Sequence, residues 1–137
     1  MNKKKIDFIT FHSAYNYGAA LQTYATMLYF ENKGYDVEII DYVPKYLHNF
    51  GTLKNTFNQV DNKKKNILVR IIYTLIKTPS YKKIKKIFSR FNQKYYKLTK
   101  NYENYDHLLK DVPKADIYCC GSDQIWSPIL FDERYFF

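Results

Sequence analysis

The segment that most constrains this chain runs from Lys5 to Tyr42. Lys5–Phe11 (KIDFITF) is a short apolar run that ends in a polar stretch, His12-Ser13-Ala14-Tyr15-Asn16-Tyr17. From about Gly18, Leu21, Tyr24, Ala25 and Leu28 recur at the spacing of one helical face, which predicts a helix. Gly34 follows where a left-handed residue would terminate it. Asp36–Tyr42 (DVEIIDY) alternates and then runs apolar, as a second strand does. Strand, helix and strand with short connections predict a right-handed βαβ unit with parallel strands.

Further along, residues 43–65 read as loop, with Pro44, Gly51 and several asparagines. Helical spacing returns in Leu68, Ile71, Ile72, Leu75 and Ile76, and Thr78-Pro79-Ser80 is expected to break it. A second helix is expected over residues 80–97. Ile84, Ile87, Phe88, Phe91 and Tyr95 fall on one face of it, and Lys82, Lys83, Lys85, Lys86 and Arg90 on the other. This pair of helices reads as an insertion beside the sheet. A shorter helix is expected over Tyr102–Lys110, and a third strand over Asp116–Cys120, leading into Gly121-Ser122-Asp123-Gln124. The expected fold is therefore α/β: a Rossmann-like, three-layer domain with a short parallel sheet of about three strands and a basic helical insertion over residues 45–100. A length of 137 residues suits one domain with a single core. Three parallel strands make a poor closed core, so the chain reads as part of a longer protein.

Charge is unevenly placed. Residues 45–100 hold thirteen lysines and two arginines against Asp61 alone, a surplus of +14, whereas the remainder carries −5 of the net +9. A segment like this can meet phosphates, an anionic membrane or nucleic acid. For the helix over 80–97 the commonest reading is a solvated basic face with its apolar stripe in the core. Contact with an anionic membrane surface is the second. Nucleic acid is the third and is not expected, because no helix-turn-helix, zinc or RNA-recognition signature accompanies the charge. The apolar run Ile6–Phe11 contains Asp7 and is too short for a signal peptide. No run reaches the roughly 18–20 apolar residues of a membrane span. Cys119 and Cys120 are adjacent, without metal-ligand spacing, and read as reduced thiols in a buried strand, which suits the cytoplasm.

In open α/β sheets ligands bind outside the carboxyl ends of the strands. Two such ends carry polar sequence here. At the first, Gly18 permits close backbone approach, and the opening turn of the helix offers free N–H groups to an anion. Asn16 can cap the same groups instead, and the two readings stand level. At the second, Gly121 permits a sharp exit, while Ser122 or Asp123 can cap a turn. His12 can act as a general base or sit as a polar loop residue. Asp123 can orient a substrate hydroxyl or cap a turn, Trp126 can stack on a ligand ring or fill the core, and Gln22 can face the crevice or solvent. His48 and His107 read as structural, and no metal site is expected.

The stretch Phe11–Ala25 (FHSAYNYGAALQTYA) closely resembles the opening motif of the polysaccharide pyruvyl transferase family, an Asn-Tyr-Gly step followed by a Leu-Gln-x-Tyr-Ala helix. Gly121–Pro128 (GSDQIWSP) is similar to a second family block, and Gly34–Tyr42 to the family's second strand. The resemblance covers about residues 5–42 and 115–137, not the basic middle. Cys119-Cys120 stands where the family usually has an aliphatic pair. The resemblance implies the N-terminal half of a GT-B-like protein with two Rossmann-like domains. It implies transfer of a pyruvyl group from phosphoenolpyruvate to a sugar of a cell-surface polysaccharide, or of its lipid-linked precursor, in the cytoplasm or at the inner membrane surface. Phosphoenolpyruvate enters as donor substrate, and no cofactor is implied. Asn16, Tyr17, Gly18, Gln22, Gly121, Ser122, Asp123, Gln124 and Trp126 match positions lining the interdomain cleft and are assigned to positioning the acceptor. Catalytic groups are expected beyond residue 137, with His12 and Asp123 the candidates within the chain, so residues 1–137 alone are expected to be inactive.

Overall fold

A computed structural model describes residues 3–43 and 67–121. The elements run β1 (Lys5–Ile9), α1 (Tyr17–Asn32), β2 (Asp36–Tyr42), α2 (Ile67–Tyr95), β3 (Leu98–Tyr102), α3 (Tyr105–Lys110) and β4 (Ile117–Cys120). All neighbouring strands pair in parallel, in the order β3-β2-β1-β4. This is the strand order of the doubly wound fold: the chain steps outward twice from β1, then returns to its other side.

The βαβ unit forms because its side chains alternate between two dry faces. Phe8 lies opposite Ile39 in register, and both pack with Val37, Met27 and Tyr96 on the face covered by α1. Ile9, Ile40, Tyr42 and Tyr102 pack on the other face against Leu108 of α3. Burial of each such side chain contributes about 1.5–3 kcal/mol, so the central strands anchor the domain. Gly34 ends α1 at φ 91°, and the amides of Gly34 and Tyr35 close back on Glu31 and Phe30 (2.9 and 3.2 Å).

Several expectations need correction. The sheet has four strands among the described residues rather than about three, because β3 (LTKNY) was not recognised. Among the described residues it is an edge strand bonded on one side only, so it needs little apolar sequence. The two basic-region helices are one, continuous from Ile67 to Tyr95 with Pro79 inside it. Proline removes a single backbone donor, the one that would pair with the Leu75 carbonyl, and the remaining ladder on either side keeps the segment helical. The stripe of Leu68, Ile71, Ile72, Leu75 and Ile76 is exposed, at 44–66% of each residue's surface. Finally, α1 turns Ala20, Thr23 and Met27 to the sheet, with Leu21 and Ala25 exposed and Tyr24 and Leu28 half-buried. Small residues at this contact let the helix lie close to the strands. Helix α3 starts at Tyr105, three residues later than expected.

Candidate functional site at the carboxyl ends of the strands

The order β3-β2-β1-β4 makes the gap beyond β1 and β4 the point where the connections diverge. Ile9 pairs with Cys120, and the Gly121 amide donates to the Ile9 carbonyl at 3.1 Å. The strand ends that lead into the Asn16 turn and the Gly121 turn are therefore adjacent. Ser122, Asp123, Gln124 and Trp126, like His48, lie outside the described residues.

At the first turn, Asn16 is the N-cap of α1. Its Oδ1 accepts from the Gly18 amide at 2.7 Å and from the Ala19 amide at 3.3 Å. Capping thus occupies the side-chain oxygen and two N–H groups that an anion would otherwise use. A Cβ on residue 18 would come within 3.1 Å of that same oxygen, so glycine here serves the cap. Tyr17 is 71% exposed, and its ring leans on Phe88 of α2 with centroids 5.1 Å apart. Gln22 is exposed one turn further along. A small apolar cavity of ≈ 90 Å³ lies between α1 and α2, lined by Tyr17, Leu21 and Phe88 among others. At Gly121 a Cβ would meet nothing within 4 Å, so packing alone does not demand glycine.

Beneath the rim lies a polar cluster that single-residue reading missed. His12 is 2% exposed; its Nε2 stands 3.0 Å from Asp41 Oδ1, and its Nδ1 stands 3.3 Å from the Thr10 carbonyl. Asn101 donates from Nδ2 to Asp41 Oδ2 at 2.9 Å. The loop after β1, the end of β2 and the end of β3 thus meet through three side chains. Burial works to raise the Asp41 pKa, but the bonds from His12 and Asn101 outweigh it and hold the carboxyl below its ordinary value. Both atoms facing the imidazole are protein oxygens, so both ring nitrogens are turned inward. His12 offers neither nitrogen to a ligand; it ties the loop that carries Asn16 to the sheet. Asp41 was legible as the one acid near the end of an apolar strand, whereas Asn101 sits in the strand that was overlooked.

Tyr96 completes the support. Its hydroxyl donates to the Ala20 carbonyl at 2.9 Å, and burial pushes its pKa up to about 12. Its ring meets His12 edge-on at 6.5 Å. Elsewhere, His107 is exposed on α3, and no group of three potential metal ligands occurs among the described residues. Cys119 and Cys120 are half-buried on opposite faces, and burial raises the Cys120 thiol pKa. A larger groove of ≈ 460 Å³ runs along β3, lined by Glu38, Lys100, Tyr102 and Lys114 among others.

The loops at the carboxyl ends carry no lysine or arginine among the described residues. They present an amide, phenols and backbone groups, a set suited to neutral hydroxyls.

Against this geometry, the family model for polysaccharide pyruvyl transferase matches residues 16–137, starting at the helix cap. The chain belongs to the polysaccharide pyruvyl transferase family. The match spans α1, the whole sheet apart from β1, and the Gly-Ser-Asp-Gln block. A search of curated proteins and a search of solved structures each return no match. Membership makes this domain part of a transferase family of polysaccharide synthesis. No helix among the described residues is long and apolar enough to cross a membrane.

Proposed function

We propose that this domain supplies the acceptor side of a phosphoenolpyruvate-dependent pyruvyl transferase acting on a surface polysaccharide or its lipid-linked precursor. The observation that carries the reading is the rim beside the β1–β4 switch point, whose described residues include no lysine or arginine. Phosphoenolpyruvate brings a phosphate and a carboxylate, which call for cationic partners. A sugar brings hydroxyls, which suit amides, phenols and backbone groups. In this reading Tyr17, Gln22, Gly121 and the residues after it hold the sugar. Asn16 and Gly18 shape the turn, and His12 with Asp41 fixes it in place. The donor's cationic contacts come from outside the described residues.

The reaction balances without a cofactor. One sugar hydroxyl adds to C2 of the enolpyruvyl group while the methylene carbon gains a proton and becomes a methyl. A second hydroxyl displaces phosphate from the same carbon, closing the ketal, and its proton leaves with the phosphate. The domain's part is to hold two hydroxyls of one sugar at a common distance from that carbon.

The test uses residues 1–137 as they stand. Candidate saccharides are expected to shift the amide resonances of Tyr17, Gln22 and Gly121. Phosphoenolpyruvate alone is expected to leave them in place, and a mixture of the two is expected to show no gain in acceptor mass. Saturable phosphoenolpyruvate binding at this rim with no response to any glycan would reverse the assignment of sides. Turnover by the chain alone would remove the division of labour altogether.

A further inference from the structure

Helix α2 combines two features that the sequence presented as separate segments. Its first turns expose Leu68 (64%), Ile72 (57%), Leu75 (60%) and Ile76 (66%). Its later turns carry Lys82, Lys83, Lys86 and Arg90, all exposed, and no acidic residue occurs anywhere from Ile67 to Tyr95. At about 100° per residue these eight positions share one sector, roughly 120° wide. Thr74, Thr78 and Phe88, the buried residues, lie outside that sector. The outward side of α2 is therefore one continuous strip, apolar for its first turns and cationic for its last.

We propose that this strip is a docking surface for an anionic lipid bilayer, with the apolar turns entering the headgroup boundary and the basic turns lying along the phosphates. The charge pattern selects the partner. A nucleic acid would satisfy the lysines but leave the leucine and isoleucine side chains in water. A second copy of the helix would bring like charges together. A membrane rich in acidic lipid takes both halves at once, and the absence of a spanning segment in this helix means that it lies on the surface. The proposal stands apart from which group the rim transfers.

Co-sedimentation of the 137-residue chain with phosphatidylcholine vesicles, with and without phosphatidylglycerol, tests it. Binding is expected only with the acidic lipid. Each exposed lysine near the surface is worth about fivefold in affinity, so K82Q/K83Q/K86Q together are expected to weaken binding on the order of a hundredfold. L68S/I72S/I76S is expected to abolish the part of the binding that survives high salt, where charge is screened. All six side chains are exposed, so both variants should keep the wild-type circular dichroism. Equal binding to both vesicle types, no binding to either, lysine-set binding like wild type, or tighter binding to an RNA oligomer than to acidic vesicles would each overturn the proposal.

Discussion

The strands β1 and β2 and the first half of α2 are similarly rich in isoleucine, leucine and valine, yet they end in opposite environments. Ile6, Ile9, Val37, Ile39 and Ile40 are at most 2% exposed, whereas Ile67, Leu68, Ile72, Leu75 and Ile76 are at least 53% exposed. Apolar composition alone therefore does not decide burial; the presence of a covering layer does. The central strands have helices on both faces and paired neighbours on both edges, or on one in the case of β2's partner β3. Helix α2 buries only a narrow line through Thr74, Thr78 and Phe88 and leaves its wide apolar side outward.

The sharpest way to break this contrast is to truncate one residue from each region. Phe8→Ala is expected to cost about 3–5 kcal/mol in urea unfolding, since its site lies between α1 and the sheet. Ile72→Ala is expected to stay within about 0.5 kcal/mol of wild type. Similar losses at the two positions would mean that the strip on α2 is covered after all.

A second contrast lies within the sheet, between two aspartates. Asp41 is held below its ordinary pKa, so its contribution to stability is in place above the usual aspartate range, about pH 4, and is lost as pH falls through the folded value. Asp7 is fully buried in β1, with Lys5 Nζ 3.4 Å from Oδ1, and burial raises its pKa despite that lysine. Its sign is opposite: the contribution is complete below the usual range and is lost as pH rises through the folded value. Asp41→Ala is expected to cost about 1–2 kcal/mol at neutral pH, the low end for a partly exposed charged bond, and the loss should shrink on acidification. Asp7→Asn is expected to raise the melting temperature at neutral pH, with the gain disappearing in acid. Parallel pH profiles for the two variants would contradict the opposite signs.

The smallest effect belongs to the rim. Asn16→Ala is expected to lower stability by about 1 kcal/mol through loss of the cap, and Asn16→Asp is expected to restore most of it because a carboxylate accepts the same two amides and favours a helix N-terminus. A full loss with both substitutions would indicate that the Asn16 amide N–H group, not its oxygen, is the important end.

The parts of the fold that the sequence made legible are those in which local pattern and tertiary burial agree. Lys5–Ile9, α1 and Asp36–Tyr42 each carry the period of their element, and Gly34 marks the stop with the positive φ it requires. The misreadings fall where a neighbour outside the local window decides the outcome. Strand β3 can be polar because, among the described residues, only one edge of it is paired. Pro79 lies inside a helix that runs on for about four turns beyond it, so the ladder bonds on either side outweigh the one it removes. The face of α1 was misassigned because Ala20 and Thr23 suit close approach to the sheet better than the larger Leu21 and Tyr24 do. For the site, the turns themselves stood out as polar sequence after apolar strands. The cluster of His12, Asp41 and Asn101 draws on three strand ends, the first two 29 positions apart and the last two 60, a proximity that no linear spacing encodes.

The 3.1 Å gap between the Asn16 carbonyl oxygen and the place a methyl group would occupy on residue 18 has an evolutionary corollary. The two positions form a single unit of inheritance: a lineage that abandons the asparagine no longer needs the glycine, and one that acquires alanine at 18 must first reposition the amide. Covariation between these columns would then record the geometry of a helix entrance, and a signature used to recognise relatives would persist for architectural reasons even where the sugar being modified has changed.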